Sequence, residues 1–271
     1  TFRAYLDNAA AEQVAGNEKT SKSELAGMKH AVDSTGRVLR DNVWGPQEED
    51  AVRRDFTINA MYYDPETGEV IDYHGGIADA KKKVLRMIGD PVARYREDPV
   101  RMLRAVRFAV KLNGKIDPAS EEPLQSMAGL IENVPASRLF DEMLKLLTCG
   151  HAMDCLQRLR QDGLHQGMLP LLDVVLEQPS GAAFIELALD RTDHRVRAGK
   201  TVSPSFLFAA LLWHQVELRW QQLLKQGETG IPALMQAADS VLDEQTEKLA
   251  IQKRFSADMR EIWFMQPRFD R

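Results

Sequence analysis

The chain has 271 residues, 44% apolar and 28% charged, enough to bury the core of one large domain or two ordinary ones. It has no uncharged apolar run of about 18 residues, which excludes a membrane-crossing helix, and its net charge of −5, taken as a total, argues mildly against a nucleic-acid partner. Two cysteines, Cys149 and Cys155 around His151, are too few for a zinc knuckle and read as ordinary thiols of a reducing cytoplasm. Thr1-Phe2-Arg3 carries neither an initiator methionine nor a basic-then-apolar targeting segment and reads as a strand already under way, so the sequence is expected to be a fragment.

Residues 12–37 are polar, with Gly, Ser and Lys, and are expected to form a long loop. In Glu48-Glu49-Asp50-Ala51-Val52-Arg53-Arg54-Asp55-Phe56-Thr57-Ile58-Asn59-Ala60 two arginines sit beside an aspartate, followed by polar side chains alternating with apolar ones. That pattern suits a strand or turn entering a phosphate site, and equally a surface salt-bridge cluster leading into a buried strand. Strands are expected at Met61–Tyr63 and Val70–Tyr73 around the turn Pro65-Glu66-Thr67-Gly68, with Gly75-Gly76 closing this small mixed region.

After about residue 85 the pattern becomes helical. Asp98-Pro99 marks a helix start, with Asp as N-cap and Pro at the first helical position, and Asn113-Gly114 stops that helix after Leu112. Further helices are expected at 119–131, 136–148, 151–162, 182–191, 204–225, 231–242 and 244–250. The fold class is α+β, predominantly α: the end of a small α/β module followed by an all-helical region.

Charge is unevenly distributed. Between Lys81 and Lys111 ten lysines and arginines face only Asp90, Glu97 and Asp98, an anion-binding stretch inside an acidic protein. Within it, Asp98 and Arg101 lie three residues apart across a first helical turn and share a face. A carboxylate beside a forked donor reads a base edge that pairs an exocyclic amine with a ring acceptor. Adenine and cytosine both present that edge, whereas guanine and uracil do not. An N-cap with a local ion pair is the alternative role. Farther along, Arg104, Arg107 and Lys111 share a purely basic face with Arg101 at its edge, which suits a triphosphate or an RNA backbone, while Val100, Leu103, Val106 and Val110 supply core contacts.

The segment Arg53–Ala60 followed by Arg96-Glu97-Asp98-Pro99-Val100-Arg101-Met102-Leu103-Arg104-Ala105 resembles the motif pair of class II nucleotidyltransferases, the bacterial poly(A) polymerases and CCA-adding tRNA enzymes. Leu39–Gly45, Tyr62-Tyr63, Arg138–Leu147, Phe206–Ala210 and Leu249–Arg254 are similar to the poly(A) branch.

The resemblance implies a polymerase-β-like head over 1–85, a helical neck over 86–150 that recognises nucleotide and RNA, and a helical body over 151–271. It implies that Asp55 is the third active-site carboxylate and a candidate metal ligand. By the same matching, Arg54, Asn59 and Arg104 bind nucleotide, Asp98 and Arg101 read the base, and Arg107 and Lys111 hold RNA or phosphate. Its implied chemistry is transfer of AMP from ATP to RNA 3′ ends with Mg2+ in the cytoplasm, with RNA-decay proteins as partners. In the family, a Gly-Gly segment and an Asp-x-Asp pair binding magnesium lie upstream of a strand ending in Thr-Phe-Arg, so the chain alone is expected not to polymerise. A CCA-adding enzyme and a non-catalytic RNA-binding module are the alternatives.

Overall fold

The computed structural model describes residues 46–164, 179–249 and 251–268; the expected strand at Thr1–Arg3, the loop at 12–37 and the Leu39–Gly45 segment lie outside them. The chain divides into two compact units, Thr1–Leu124 and Gln125–Arg271, a boundary inside the stretch expected as neck.

In the first unit, α1 (Gln47–Arg53) carries Glu48, Glu49 and Asp50 in its first turn and Arg53 in its last, the charge order that complements the helix dipole. Residues 48–60, expected as strand or turn, thus begin as helix. A single bridge pairs Phe56 with Met87, and a 3-10 turn follows at Thr57–Asn59. Strands β1 (Met61–Tyr63) and β2 (Val70–Asp72) then pair antiparallel as a hairpin, Tyr62 opposite Ile71. Gly75, at φ +75°, caps α2 (Gly76–Lys82). A Cβ on Gly76 would lie 2.3 Å from the Thr57 carbonyl oxygen, so only glycine lets α2 approach the Thr57 turn.

Helix α3 (Pro91–Glu97) is set by Asp90, whose side chain accepts from Ala93 N at 2.8 Å, with Pro91 just inside the helix. Helix α4 (Val100–Leu112) starts one residue after the expected position. Arg101 N and Met102 N donate to Asp98 O and Pro99 O in a tight first turn. It ends at Asn113 in the left-handed region, at φ 48°. Two-residue strands β3 (Val84–Leu85) and β4 (Lys115–Ile116) pair in parallel on either side of α4 in the sequence. Phe56, Leu85, Tyr95, Met102 and Leu103 form the buried interior, and Val100 and Val106 join it as expected; Val110 is half-buried.

The expected helix at 119–131 is three pieces: α5 (Pro118–Glu121), α6 (Pro123–Met127) and a 3-10 segment at Ala128–Asn133. Pro123 lacks an amide proton and its ring crowds the preceding turn, which breaks the run. The second unit then continues with α7 (Ala136–Leu147), α8 (Ala152–Gln161), α9 (Pro179–Arg197), α10 (Pro204–Lys225), α11 (Gly230–Leu249) and α12 (Lys253–Met265). Helix α9 is longer than expected, α11 joins two expected helices because no Gly or Pro interrupts residues 233–249, and α12 was not expected. Phe140 stacks on Phe208 with centroids 5.1 Å apart and packs against Phe255, and Trp263 Nε1 donates to Ala209 O at 2.9 Å. These contacts tie α7, α10 and α12 into one core. The two cysteines are reduced, with Sγ atoms 3.7 Å apart, and the hydrogen bond with Cys149, together with burial, pushes the Cys155 thiol up. No helix among the described residues is long and apolar enough to cross a membrane.

Candidate active site

Backbone pairing fixes Asp55 first. Ile88 N donates to Asp55 O at 3.0 Å and Thr57 N to Arg86 O at 3.0 Å, holding residues 55–57 against 86–88. The Asp55 carboxylate then takes one guanidinium on each oxygen: Arg101 Nε on Oδ1 and Arg104 Nη1 on Oδ2, both at 2.8 Å. Arg101 and Arg104 lie three residues apart on α4, so one helical face presents both forks to one anion. Asp55 is 9% exposed and Arg101 8%, and charges so buried persist only when paired and hydrogen-bonded.

Arg101 Nη1 also donates to Arg94 O at 2.8 Å and to Glu97 Oε2 at 2.5 Å. Arg94 donates to the same Glu97 oxygen and, through Nη2, to the carbonyls of Arg53 and Arg54, each at 2.9 Å. The network therefore closes on the Arg53-Arg54-Asp55 motif from α3 and α4. Burial opposes the Arg101 charge, yet Asp55 and Glu97 raise its pKa; burial and the neighbouring Arg101 lower that of Arg94. Arg94, Arg101 and Arg104 against Asp55 and Glu97 leave an excess of positive charge, the electrostatic condition for holding a further anion.

Arg54 turns the other way. Its Nε and Nη2 donate to Asp50 Oδ2 at 3.1 and 2.7 Å, and the Tyr62 hydroxyl donates to the same oxygen at 2.8 Å. Burial works against the Asp50 charge, but these two donors hold its carboxyl below the usual range; burial and Asp50 push the Tyr62 phenol up to about 12. Asn59 is exposed on the 3-10 turn, and Asp98 is half-buried at the α3–α4 junction. The Arg107 guanidinium lies 4.3 Å over the Phe108 ring, and Lys111 is exposed. The fold thus brings Asp55, Arg101 and Arg104 together and spreads Arg107 and Lys111 along the rest of α4. Arg101 uses Nε and Nη1 on Asp55, Glu97 and the Arg94 carbonyl, which leaves Nη2 among the described residues as its available donor for a base edge.

Arg94 and Glu97 were not among the sequence candidates. The signal for Glu97 was present, because it precedes Arg101 by four residues, the spacing of a helical ion pair. Nothing local marked Arg94, whose acceptors lie 40 and 41 residues away. Among the described residues no three His, Cys, Asp or Glu side chains cluster to hold a metal ion, and both Asp55 oxygens are taken by arginines. The described residues do not by themselves make a magnesium site.

Three family models match the chain: the Poly A polymerase head domain at residues 2–86, the probable RNA and SrmB-binding site of polymerase A at 114–176, and the polymerase A arginine-rich C-terminus at 226–271. Poly(A) polymerase I of Salmonella typhi is 45% identical over 262 residues, covering 94% of this chain and 56% of that protein. This chain belongs to the poly(A) polymerase family. It spans about half the length of the curated poly(A) polymerases it matches. A CCA-adding enzyme of Levilactobacillus brevis is 45% identical over 118 residues, 44% of this chain and 30% of that protein, so the likeness to that branch covers less of the chain. The structure of a tRNA-processing enzyme with CTP matches 83% of this chain and 67% of its own, with a TM-score of 0.50 and 22% identity, a likeness of fold. The segment matched as arginine-rich departs from its description in this member of the poly(A) polymerase family: residues 226–271 hold six lysines and arginines against eight aspartates and glutamates.

Proposed function

We propose that this protein is a template-independent polynucleotide adenylyltransferase that adds AMP from ATP to RNA 3′ ends. The observation that carries the reading is the buried cluster in which Asp55 holds Arg101 and Arg104, built from both family motifs and positively charged in excess. Nucleotidyl transfer depends on positioning and on neutralising phosphate charge, and fixed guanidiniums supply both without reorganising. Asp55 acts here as the positioning residue of those arginines. Arg101 Nη2 and the Asp98 carboxylate are the base-reading groups. Arg104 is the nucleotide-binding arginine of the cluster, and Asn59 and Arg54, the latter reorienting from Asp50, complete the nucleotide-binding set. Arg107 and Lys111 extend the basic surface for RNA phosphates. The extent of likeness to poly(A) polymerases, 94% of the chain against 44% for a CCA-adding enzyme, favours adenylate tailing over CCA addition.

Head to about residue 85, neck over 86–150 and body over 151–271 belong to the same proposal, as do a cytoplasmic location and RNA-decay partners. Magnesium enters through the family alone, since the described residues make no site for it. Template-free incorporation by the natural full-length protein, given each nucleoside triphosphate separately, tests the reading. Sustained ATP incorporation on any RNA 3′ end supports it. Addition of two cytidylates and one adenylate, restricted to tRNA, moves the protein to the CCA branch.

A further inference from the structure

The family matches stop at residue 176 and resume at 226, and between them lies a cavity of about 530 Å3. Its walls include Arg191, Thr192 and Arg195 from the end of α9, Thr201 and Ser203 from the connecting loop, and Phe206 from the first turn of α10. Arg191 and Arg195 are four residues apart on one helical face. Arg195 is held by the Thr201 carbonyl, Nε at 3.3 Å and Nη2 at 2.9 Å, which leaves Nη1 available. Arg191 makes no ion pair or hydrogen bond among the described residues. The aspartate between them is engaged elsewhere: both Asp193 oxygens accept from Ala152 N, at 3.0 and 2.8 Å. From Arg191 to Lys200 there are four lysines and arginines and one aspartate, in a chain of net charge −5.

Phe206 breaks the pattern of its helix. Leu207 and Phe208 beside it are buried, yet Phe206 is 50% exposed and forms part of the cavity wall. Free guanidinium donors next to an exposed aromatic face are the two elements that hold single-stranded nucleic acid: phosphate on the forks, base on the ring. We propose that this cavity is a subsite for one nucleotide of single-stranded RNA, its phosphate between Arg191 and Arg195 and its base against Phe206. The choice of RNA as ligand rests on the tailing function proposed above; the cavity chemistry stands independently of catalysis.

Fluorescence anisotropy of the intact chain with short labelled oligo(A) and oligo(U) tests it. The Arg191→Ala/Arg195→Ala double variant should bind both RNAs about tenfold more weakly, with the slope of log K against log salt reduced by about 0.7 for one lost phosphate contact. Phe206→Ala should weaken both by about tenfold at unchanged slope, and Phe206→Trp should restore binding, because stacking tolerates any base. Wild-type affinity in the double variant, with an unchanged melting temperature, would overturn the subsite. Tighter binding of the wild type to an RNA duplex or an acidic peptide than to either single strand would overturn it too. Failure of the full-length protein to incorporate ATP would instead sink the tailing function and leave this proposal standing, since binding is read without turnover.

Discussion

Arg101 in the first unit and Arg191 in the second are the same side chain in opposite settings. Arg101 is buried and its guanidinium meets two carboxylates and a carbonyl; Arg191 is exposed and its guanidinium makes no hydrogen bond or ion pair among the described residues. A buried fork held from several sides is fixed before any ligand arrives, so it can orient a reacting group, and its loss damages the fold. An exposed fork contributes little to stability and remains free for a mobile polymer that need not be held to a fraction of an ångström. The contrast separates a place for chemistry from a place for grip.

The sharpest way to break this contrast is Asp55→Ala. It leaves Arg101 and Arg104 without their shared anion, and removing one partner of a buried pair costs about 3–5 kcal/mol. Urea unfolding should show a loss of that order, and full-length turnover should nearly vanish. Asp55→Asn, which keeps the shape, should recover part of the stability and little of the activity. If Asp55→Ala melts like wild type, the cluster is solvated and the comparison fails.

Next comes Arg101→Ala, which removes the donor proposed to read the base. Each lost contact leaves a buried polar group unpaired, at about 1–3 kcal/mol, so ATP use should fall and discrimination against GTP and UTP should flatten. Lysine should not substitute, because a point charge cannot hold Asp55, Glu97 and a base edge at once. Incorporation kinetics with four nucleotides would show this, and unchanged selectivity would assign Arg101 to the fold alone.

Arg54 lies between the two extremes, and pH sharpens its position. The Asp50 carboxyl is depressed, so its contribution is complete above the unfolded pKa of about 3.9 and is lost as pH falls through the lower folded value. The Tyr62 phenol is raised, so its contribution is complete below about 10 and is lost as pH rises through about 12. A difference titration of wild type against Tyr62→Phe should show a phenolate appearing near 12, and Asp50→Asn should bring it down. The smallest effect belongs to Arg191→Ala, which should shift the melting temperature by less than about 2 °C.

The elements legible in the sequence were those with local punctuation. The β1–β2 hairpin announced itself by its turn, α4 by Asp98-Pro99 and Asn113-Gly114, and α7, α8 and α10 by Pro and Gly at their ends. Helix α12 follows α11 with neither Gly nor Pro between them, so it escaped notice. The candidate site was half legible. Asp55 and Arg101 both stood out, but that they grip each other across 46 residues is a tertiary fact that no periodicity encodes. The local reading paired Arg101 with Asp98, its neighbour in sequence, while the fold gives the guanidinium to Asp55 and Glu97.

The short parallel pair β3–β4 has a dynamic consequence. Lys115 N and Asp117 N donate to Lys83 O and Leu85 O, and a Cβ on Gly114 would lie 2.1 Å from Lys83 O, so the far end of α4 is clamped to this strand. Two residues farther on, the same segment pairs with Asp55 and Thr57, and Asp55 clamps the near end of α4 through Arg101. Helix, strand and motif therefore form a closed ring, in which opening any one member strains the other two. Their amide protons should exchange with solvent together, at one common free energy, so that the arginine face of α4 is released only when the whole ring opens.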